Sequence, residues 1–477
     1  MMKPLLAALL ALLIAATAPA RANPINLPDL GDASGAVISP SQERKLGEDL
    51  MRRARRSLAV LDDPEGTTYV QSLGQRLVSH SDNPGTNFRF FLVSDPTINA
   101  FAIPGGFIGV HTGLLLAAEN EAELASVLAH EIAHITQRHI PRMLAEEQRT
   151  MPAMAALLAA ALLAGRGGEA ALALTSATMA QKGLNFTRSS EEEADRIGIR
   201  LLSESGFDPR AMPAFFERMQ RINRLNESNL PEFLATHPVT TARIADSRAR
   251  AEQFTYRQVP DSVDFQLVRA RLRANAPGDA ADIARGFANN IAEGKSTNMD
   301  AERYGYALAL LRARQYDTAR TVARRLADHA PDNMYYRVVQ AEIEMASGRT
   351  DTGLQMYANA YKRSPSYYPL AIRYTSALIR AKHEREAEPI IRAAIAQRPD
   401  DPLLYDLLSQ ATGANGKVPE SHQALAEHYY LNGDLNAAIE QLQLASRYAG
   451  NNFYLQSSLE ARIQAIKEEV ALVSQKK

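Results

Sequence analysis

His130-Glu131-Ile132-Ala133-His134 sets two imidazoles one helical turn apart with a carboxylate between them. Apolar residues recur around it at helical spacing, Leu124, Val127 and Leu128 before it and Ile132 and Ile135 within and after it. The pentapeptide is therefore predicted to lie on a helix with His130 and His134 on one face. Two such rings can close on one divalent ion while Glu131 reaches water bound there, which is the arrangement of a zinc peptidase. Catalytic zinc takes three protein ligands and keeps a fourth position open, so another ligand has to come from elsewhere in the chain.

Glu191-Glu192-Glu193-Ala194-Asp195 offers one. Glu191 and Asp195 share a helix face, and Glu192 and Glu193 turn away from it. Spacing alone leaves two readings open. Either Glu191 binds the metal while Asp195 accepts from the distal nitrogen of a ligand histidine, or the acids simply favour a helix N-terminus.

Outward from this centre, helices are expected over 41–61, 67–79 and 190–205, with Gly206-Phe207-Asp208-Pro209 closing the last and starting the next. Short extended segments are expected over 88–93, 99–102 and 107–111, the last two around Pro104-Gly105-Gly106. An apolar helical hairpin is expected within 141–188. Three roles are open for it: a cover over the metal cleft, a peripheral contact with a membrane, or a plain core element. Helical spacing sets His139 about 180° around the helix from His130, as a structural residue.

Beyond about residue 260 strand signals cease, and 260–477 is predicted to be all helix. Pro331, Pro365 and Pro399 recur every 34 residues, each closing a helical segment, and that is the tetratricopeptide period. Ala319, Gly353 and Ala387 stand twelve residues before these prolines, where paired helices need small side chains. Asn432-Gly433-Asp434 repeats the turn but out of phase, which implies an insertion around 413–419. Stacked pairs of this kind form a solenoid with a concave surface suited to peptides.

Met1 to Lys3, the apolar run 5–18 and Ala20-Arg21-Ala22 read as a signal peptide over 1–22. The chain has no cysteine, so its stability rests on buried cores without disulfides. A formal net charge of -1 provides no global field for nucleic acid. The basic run Arg52-Arg53-Ala54-Arg55-Arg56 is expected to be a solvated helix face.

Taken together, the two histidines and Glu191-x-x-x-Asp195 within Ser189-Ser190-Glu191-Glu192-Glu193-Ala194-Asp195-Arg196-Ile197-Gly198 resemble the M48 family of zinc peptidases. Supporting matches are Asn99-Ala100-Phe101-Ala102 with Pro104-Gly105-Gly106, Gly206-Phe207-Asp208-Pro209, and Thr236-His237-Pro238 with Arg243-Ile244. The resemblance implies an α+β, zincin-like metallopeptidase domain over 23–255, with a small β-sheet, in a mainly α chain. It makes His130, His134 and Glu191 the ligands of one Zn2+, Glu131 the general base and Asp195 the support of a ligand. His237 is implied to lie near the metal, as an oxyanion donor or as an inhibitory fourth ligand. Arg243 would steady that loop or the substrate carbonyl, and Asn99, Ala100, Phe101 and Ala102 would form an edge strand for extended substrate.

The order of signal, peptidase and repeats is similar to that of envelope members of the family. It implies a periplasmic protease and chaperone whose clients are unfolded or partly assembled outer-membrane proteins, working beside the outer-membrane barrel assembly machinery. The absence of cysteine departs from relatives that carry it in the repeats. The competing expectation is a repeat scaffold whose peptidase unit is latent.

Overall fold

Ser39 opens the first helix with a reciprocal cap. Its hydroxyl accepts from the Gln42 backbone, the Gln42 side chain accepts from the Ser39 backbone, and Pro40 takes the first helical position. The computed structural model describes residues 38–146, 187–225 and 232–474. The segment 1–22 expected as a signal peptide and most of the expected apolar hairpin (147–186) lie outside these. This first helix, Pro40–Ser57, ends sooner than its apolar pattern suggests, because Val60 leaves it to bridge Val93.

A second helix, Pro64–Val78, is capped by Asp63. It packs on a three-stranded sheet of β1 (Arg89–Val93), β2 (Ala100–Ile103) and β3 (Phe107–His111). The order is β1-β3-β2, with β3 parallel to β1 and antiparallel to β2, so β2 is an edge strand. Gly105 and Gly106, at φ 80° and 98°, make the β2–β3 turn.

The motif helix, Glu121–Thr136, is capped by Asn120 and buried along most of its length. The helix over 187–204, here the acid helix, crosses it at Gly198. A Cβ there would stand 2.7 Å from Met212 Cε and 3.3 Å from the His130 nitrogen, so a larger residue would have to displace the Met212 side chain and press on the motif-helix backbone. That contact fixes where Glu191 and Asp195 fall along the motif helix.

From Val263 to Ser474 the described chain is a succession of helices. Second helices of the pairs run over Tyr316–His329, Thr350–Arg363, Glu384–Gln397 and Val418–Leu431. The turns before them each place a middle residue in the left-handed region: Arg314, Gly348, Lys382 and Gly416, at φ 58°, 82°, 64° and 77°. Ala319, Gly353 and Ala387 are buried where the paired helices meet.

The inferred insertion around 413–419 is absent. Val418 starts its helix in phase with the earlier pairs, and the change comes at 432–434. There a three-residue turn stands where the earlier pairs are joined through four residues, 330–333, 364–367 and 398–401. The short Asn432-Gly433-Asp434 turn resembles the connection inside a pair, which made the sequence look displaced.

The N-terminal unit and the helical repeats share a continuous hydrophobic core reaching from Tyr69 to Ile343. Charge adds to it: Arg271 meets Asp63 at 2.6 Å and Glu65 at 3.1 Å, and Arg373 meets Glu65 at 2.8 Å. The basic run is a solvated face only in part, since Arg53 and Arg56 are exposed while Arg52 and Arg55 are half-buried. Arg52 bonds Tyr430 and Glu469, Arg55 the carbonyls of Leu431 and Asp400, and Arg56 that of Gly433. These partners lie so far along the chain that a charge run gives no sign of them. Among the described residues no helix is long and apolar enough to cross a membrane.

Candidate metal centre

His130 and His134 point from one face of the motif helix with their Nε2 atoms 3.0 Å apart. The acid helix brings Glu191 against both, its oxygens 3.4 Å from His130 Nε2 and 3.3 Å from His134 Nε2. His237 comes from just beyond the short helix Glu232–Thr236, and its Nδ1 lies 3.3 Å from His130 Nε2 and 3.1 Å from Glu191 Oε1. Donor atoms held about 2.0 Å from one zinc ion in a tetrahedron stand about 3.3 Å from one another. The observed spacings fit that cradle, and all four donors lie within 4.8 Å of one another.

Electrostatics agree with a cation site. Burial pushes the His130 imidazole down, but the Glu191 and Asp195 carboxylates overrule it and hold it up at about 10. Burial dominates at His134, which is lowered to about 3 despite Glu191. The Glu191 and Asp195 carboxylates thus make this a place that favours positive charge, which a metal ion would supply. Glu191 resists the upward push of burial because His130, His134 and His237 hold it well below the usual carboxylate range.

Glu131 behaves oppositely. Its burial raises it, only partly countered by His237, His130 and the Ala102 N–H. Its Oε1 is buried without a hydrogen-bond partner and lies 3.4 Å from His237 Nε2. A carboxylate displaced upward beside a metal cradle is suited to taking and returning a proton.

The ligands are held from behind. Asp195 Oδ1 lies 3.0 Å from His130 Nδ1 and is itself gripped by Arg243 at 2.7 and 2.8 Å. Arg243 also reaches Glu191 at 2.9 Å and the Pro238 carbonyl at 2.8 Å, so it ties the His237 loop to the acid helix. It is buried, as a residue that steadies the loop needs to be.

Behind His134 stands His139, Nδ1 to Nδ1 at 2.8 Å. This contact corrects the expectation that His139 points away. The helix stops at Thr136, Arg138 turns into the left-handed region at φ 52°, and the chain doubles back. Arg138 is held there by Glu43 and the Ile38 carbonyl, a support the local sequence does not advertise.

At the edge strand, the Asn99 carbonyl accepts from His111, which with the register makes Phe101 and Ile103 the bonded positions of β2. Ala100 and Ala102 therefore turn their backbone groups to the free edge, where the Ala102 N–H meets Glu131. Asn99 is buried, and Phe101 packs edge-on against Phe91 and His111. The His237 loop is anchored to the same segment, since the Phe233 nitrogen donates to the Ile98 carbonyl.

A family model described as peptidase family M48 matches residues 64–251, and a tetratricopeptide repeat model matches 344–411. Over 466 residues the chain is 35% identical to the beta-barrel assembly-enhancing protease of Escherichia coli (strain K12), covering 96% of this chain and 95% of that one. The chain belongs to peptidase family M48. A second full-length M48 relative, the beta-barrel assembly-enhancing protease of Yersinia pestis, is 34% identical over 445 residues, 92% of this chain and 91% of the relative. Part of the chain is similar to the mitochondrial metalloendopeptidase OMA1 of Arabidopsis thaliana, at 30% identity over 44% of this chain and 41% of that one. As an M48 member with this donor set, the chain is a metallopeptidase followed by a tetratricopeptide solenoid.

Proposed function

We propose that this chain is an exported zinc endopeptidase and chaperone of the periplasm, acting on unfolded or stalled outer-membrane β-barrel proteins beside the machinery that assembles them. The observation that carries the reading is the cradle of His130, His134 and Glu191 beside a free strand edge whose Ala102 N–H reaches Glu131. Export is supported by the sequence of 1–22, and the client class by the names of the full-length relatives.

Zinc bound there supplies Lewis acidity that brings the pKa of its water to near 7. The chain's own groups do the rest. Glu131 accepts the proton of the attacking water and returns it to the leaving amine. Ala100 offers its outward backbone groups to an extended client, which suits unpaired β-strands and reads backbone more than side chains. Asp195 and Arg243 keep His130 and Glu191 in place. The repeats present the concave surface that recruits clients.

A latent form of the same enzyme is favoured by His237. Its Nδ1 stands among the other donors, in the position that water needs, which supports a fourth ligand rather than an oxyanion donor. Casein breakdown by wild type, Glu131→Gln and His237→Ala, with zinc content measured on each, tests both readings. Glu131→Gln is expected to hold zinc and be inactive, and His237→Ala to exceed wild type. A His237→Ala protein slower than wild type by roughly two to three powers of ten would restore the oxyanion role. Zinc-loaded proteins that are all inert would overturn the enzyme reading.

A further inference from the structure

The two histidines of the motif helix are supported differently. His130 has a carboxylate at its back, Asp195, whereas His134 has a second imidazole. We infer that His139 is a positioning residue for the metal centre, relaying a carboxylate's hold from Glu193 to His134. The inference rests on the zinc cradle proposed above.

The hydrogen-bond arithmetic leaves one arrangement. His134 turns Nε2 toward the other donors, so as a metal ligand it keeps that lone pair and carries its proton on Nδ1. The partner 2.8 Å away, His139 Nδ1, then has to accept. His139 accordingly bears its own proton on Nε2, and Glu193 Oε2 lies 3.2 Å from that atom. Arg142 binds the same carboxylate oxygen at 2.9 Å. His134 thus donates to His139 and His139 to Glu193, which also accepts from Arg142, so the carboxylate's hold reaches the back of His134 through His139.

Position supports the assignment. His139 is buried, with 4% of its surface exposed, and reaches His134 only because Arg138 adopts a left-handed conformation that a non-glycine residue rarely takes. Arg138 is bonded to Glu43 at 3.1 Å and to the Ile38 carbonyl at 2.7 Å, so the first helix of the domain holds the turn. A ligand histidine whose distal N–H has a fixed acceptor binds metal more tightly, and losing such a partner costs roughly 10–100-fold in metal affinity.

The test measures zinc affinity of the full chain by competition with a chromophoric chelator, for wild type, His139→Phe and His139→Gln. Phenylalanine keeps the bulk and removes the acceptor, and glutamine returns an acceptor. His139→Phe should bind zinc roughly 10–100-fold more weakly, with His139→Gln recovering most of the loss. Equal affinity of His139→Phe and wild type, or equal weakening in both variants, would overturn the relay and leave packing alone. If the phenylalanine variant does not fold, nitrogen NMR of the zinc-loaded wild type decides: an unprotonated Nδ1 on His139 is expected, and a protonated one refutes the inference. A wild type that takes up no zinc is a different failure, that of the metallopeptidase cradle itself.

Discussion

Asp195 lies behind His130, its Oδ1 3.0 Å from the ring's Nδ1, on the side away from the other donors. The same carboxylate is clamped by Arg243, and all three side chains are buried. Asp195→Ala removes the acceptor for the distal nitrogen and is expected to weaken zinc binding by roughly 10–100-fold. Arg243→Met leaves Asp195 and Glu191 without their guanidinium, and breaking a buried pair of this kind costs about 3–5 kcal/mol. Chelator competition reads the first effect, and urea denaturation of the metal-free protein reads the second.

Gly198 should tolerate nothing larger. The acid helix meets the motif helix there, with Met212 Cε and the His130 nitrogen inside the space a side chain would need. Gly198→Val pushes the helices apart at the level of His130, at a cost of about 1–3 kcal/mol for overpacking. Because Glu191 and Asp195 ride on the displaced helix, zinc affinity should fall together with the melting temperature. A variant that loses stability and keeps wild-type zinc affinity would show that the crossing does not set the cradle.

What could be read from the chain follows from how far apart the deciding residues are. His130 and His134, like Glu191 and Asp195, sit four apart on single helices, where spacing alone dictates a common face. The solenoid was legible for the same reason, since Pro331, Pro365 and Pro399 mark helix ends at a fixed period. His139 was not, because one backbone conformation at Arg138 reverses its direction and nothing local demands that conformation. The Arg52 to Arg56 run was misread in part, because its partners, among them Tyr430 and Glu469, belong to the last helices. Arg243 was expected to steady the His237 loop or the substrate carbonyl, but its place between two acids forty-eight and fifty-two positions upstream is set by folding alone.

Glu65 joins the two halves of the protein and should set the acid limit of their association. It is buried and raised by that burial, yet Arg271 and Arg373 outweigh the effect and hold its carboxyl below the ordinary value. A folded-state pKa below the unfolded one means a stabilisation fully present above about pH 4.3 and lost as pH falls through the folded value. Glu65→Gln should therefore be less stable than wild type by about 3–5 kcal/mol at neutral pH, since both arginines lose a counter-charge. It should also show a flatter decline in acid. Melting temperatures of both proteins between pH 7 and 3 make the check, and parallel curves would remove Glu65 from the account.

Lys382 offers a gain instead of a loss. It occupies the left-handed position of its turn, at φ 64°, where the neighbouring pairs carry Gly348 and Gly416. Its side chain is exposed, so replacement removes no packing. The left-handed conformation costs a lysine about 1–2 kcal/mol, and a glycine avoids that cost while adding about 0.4–1 kcal/mol of chain entropy to the unfolded state. The difference favours glycine by up to about 1.6 kcal/mol, so Lys382→Gly should raise the denaturation midpoint of the repeats and leave zinc affinity and proteolysis unchanged. A lower midpoint would mean that the lysine turn is stabilised by something other than its backbone.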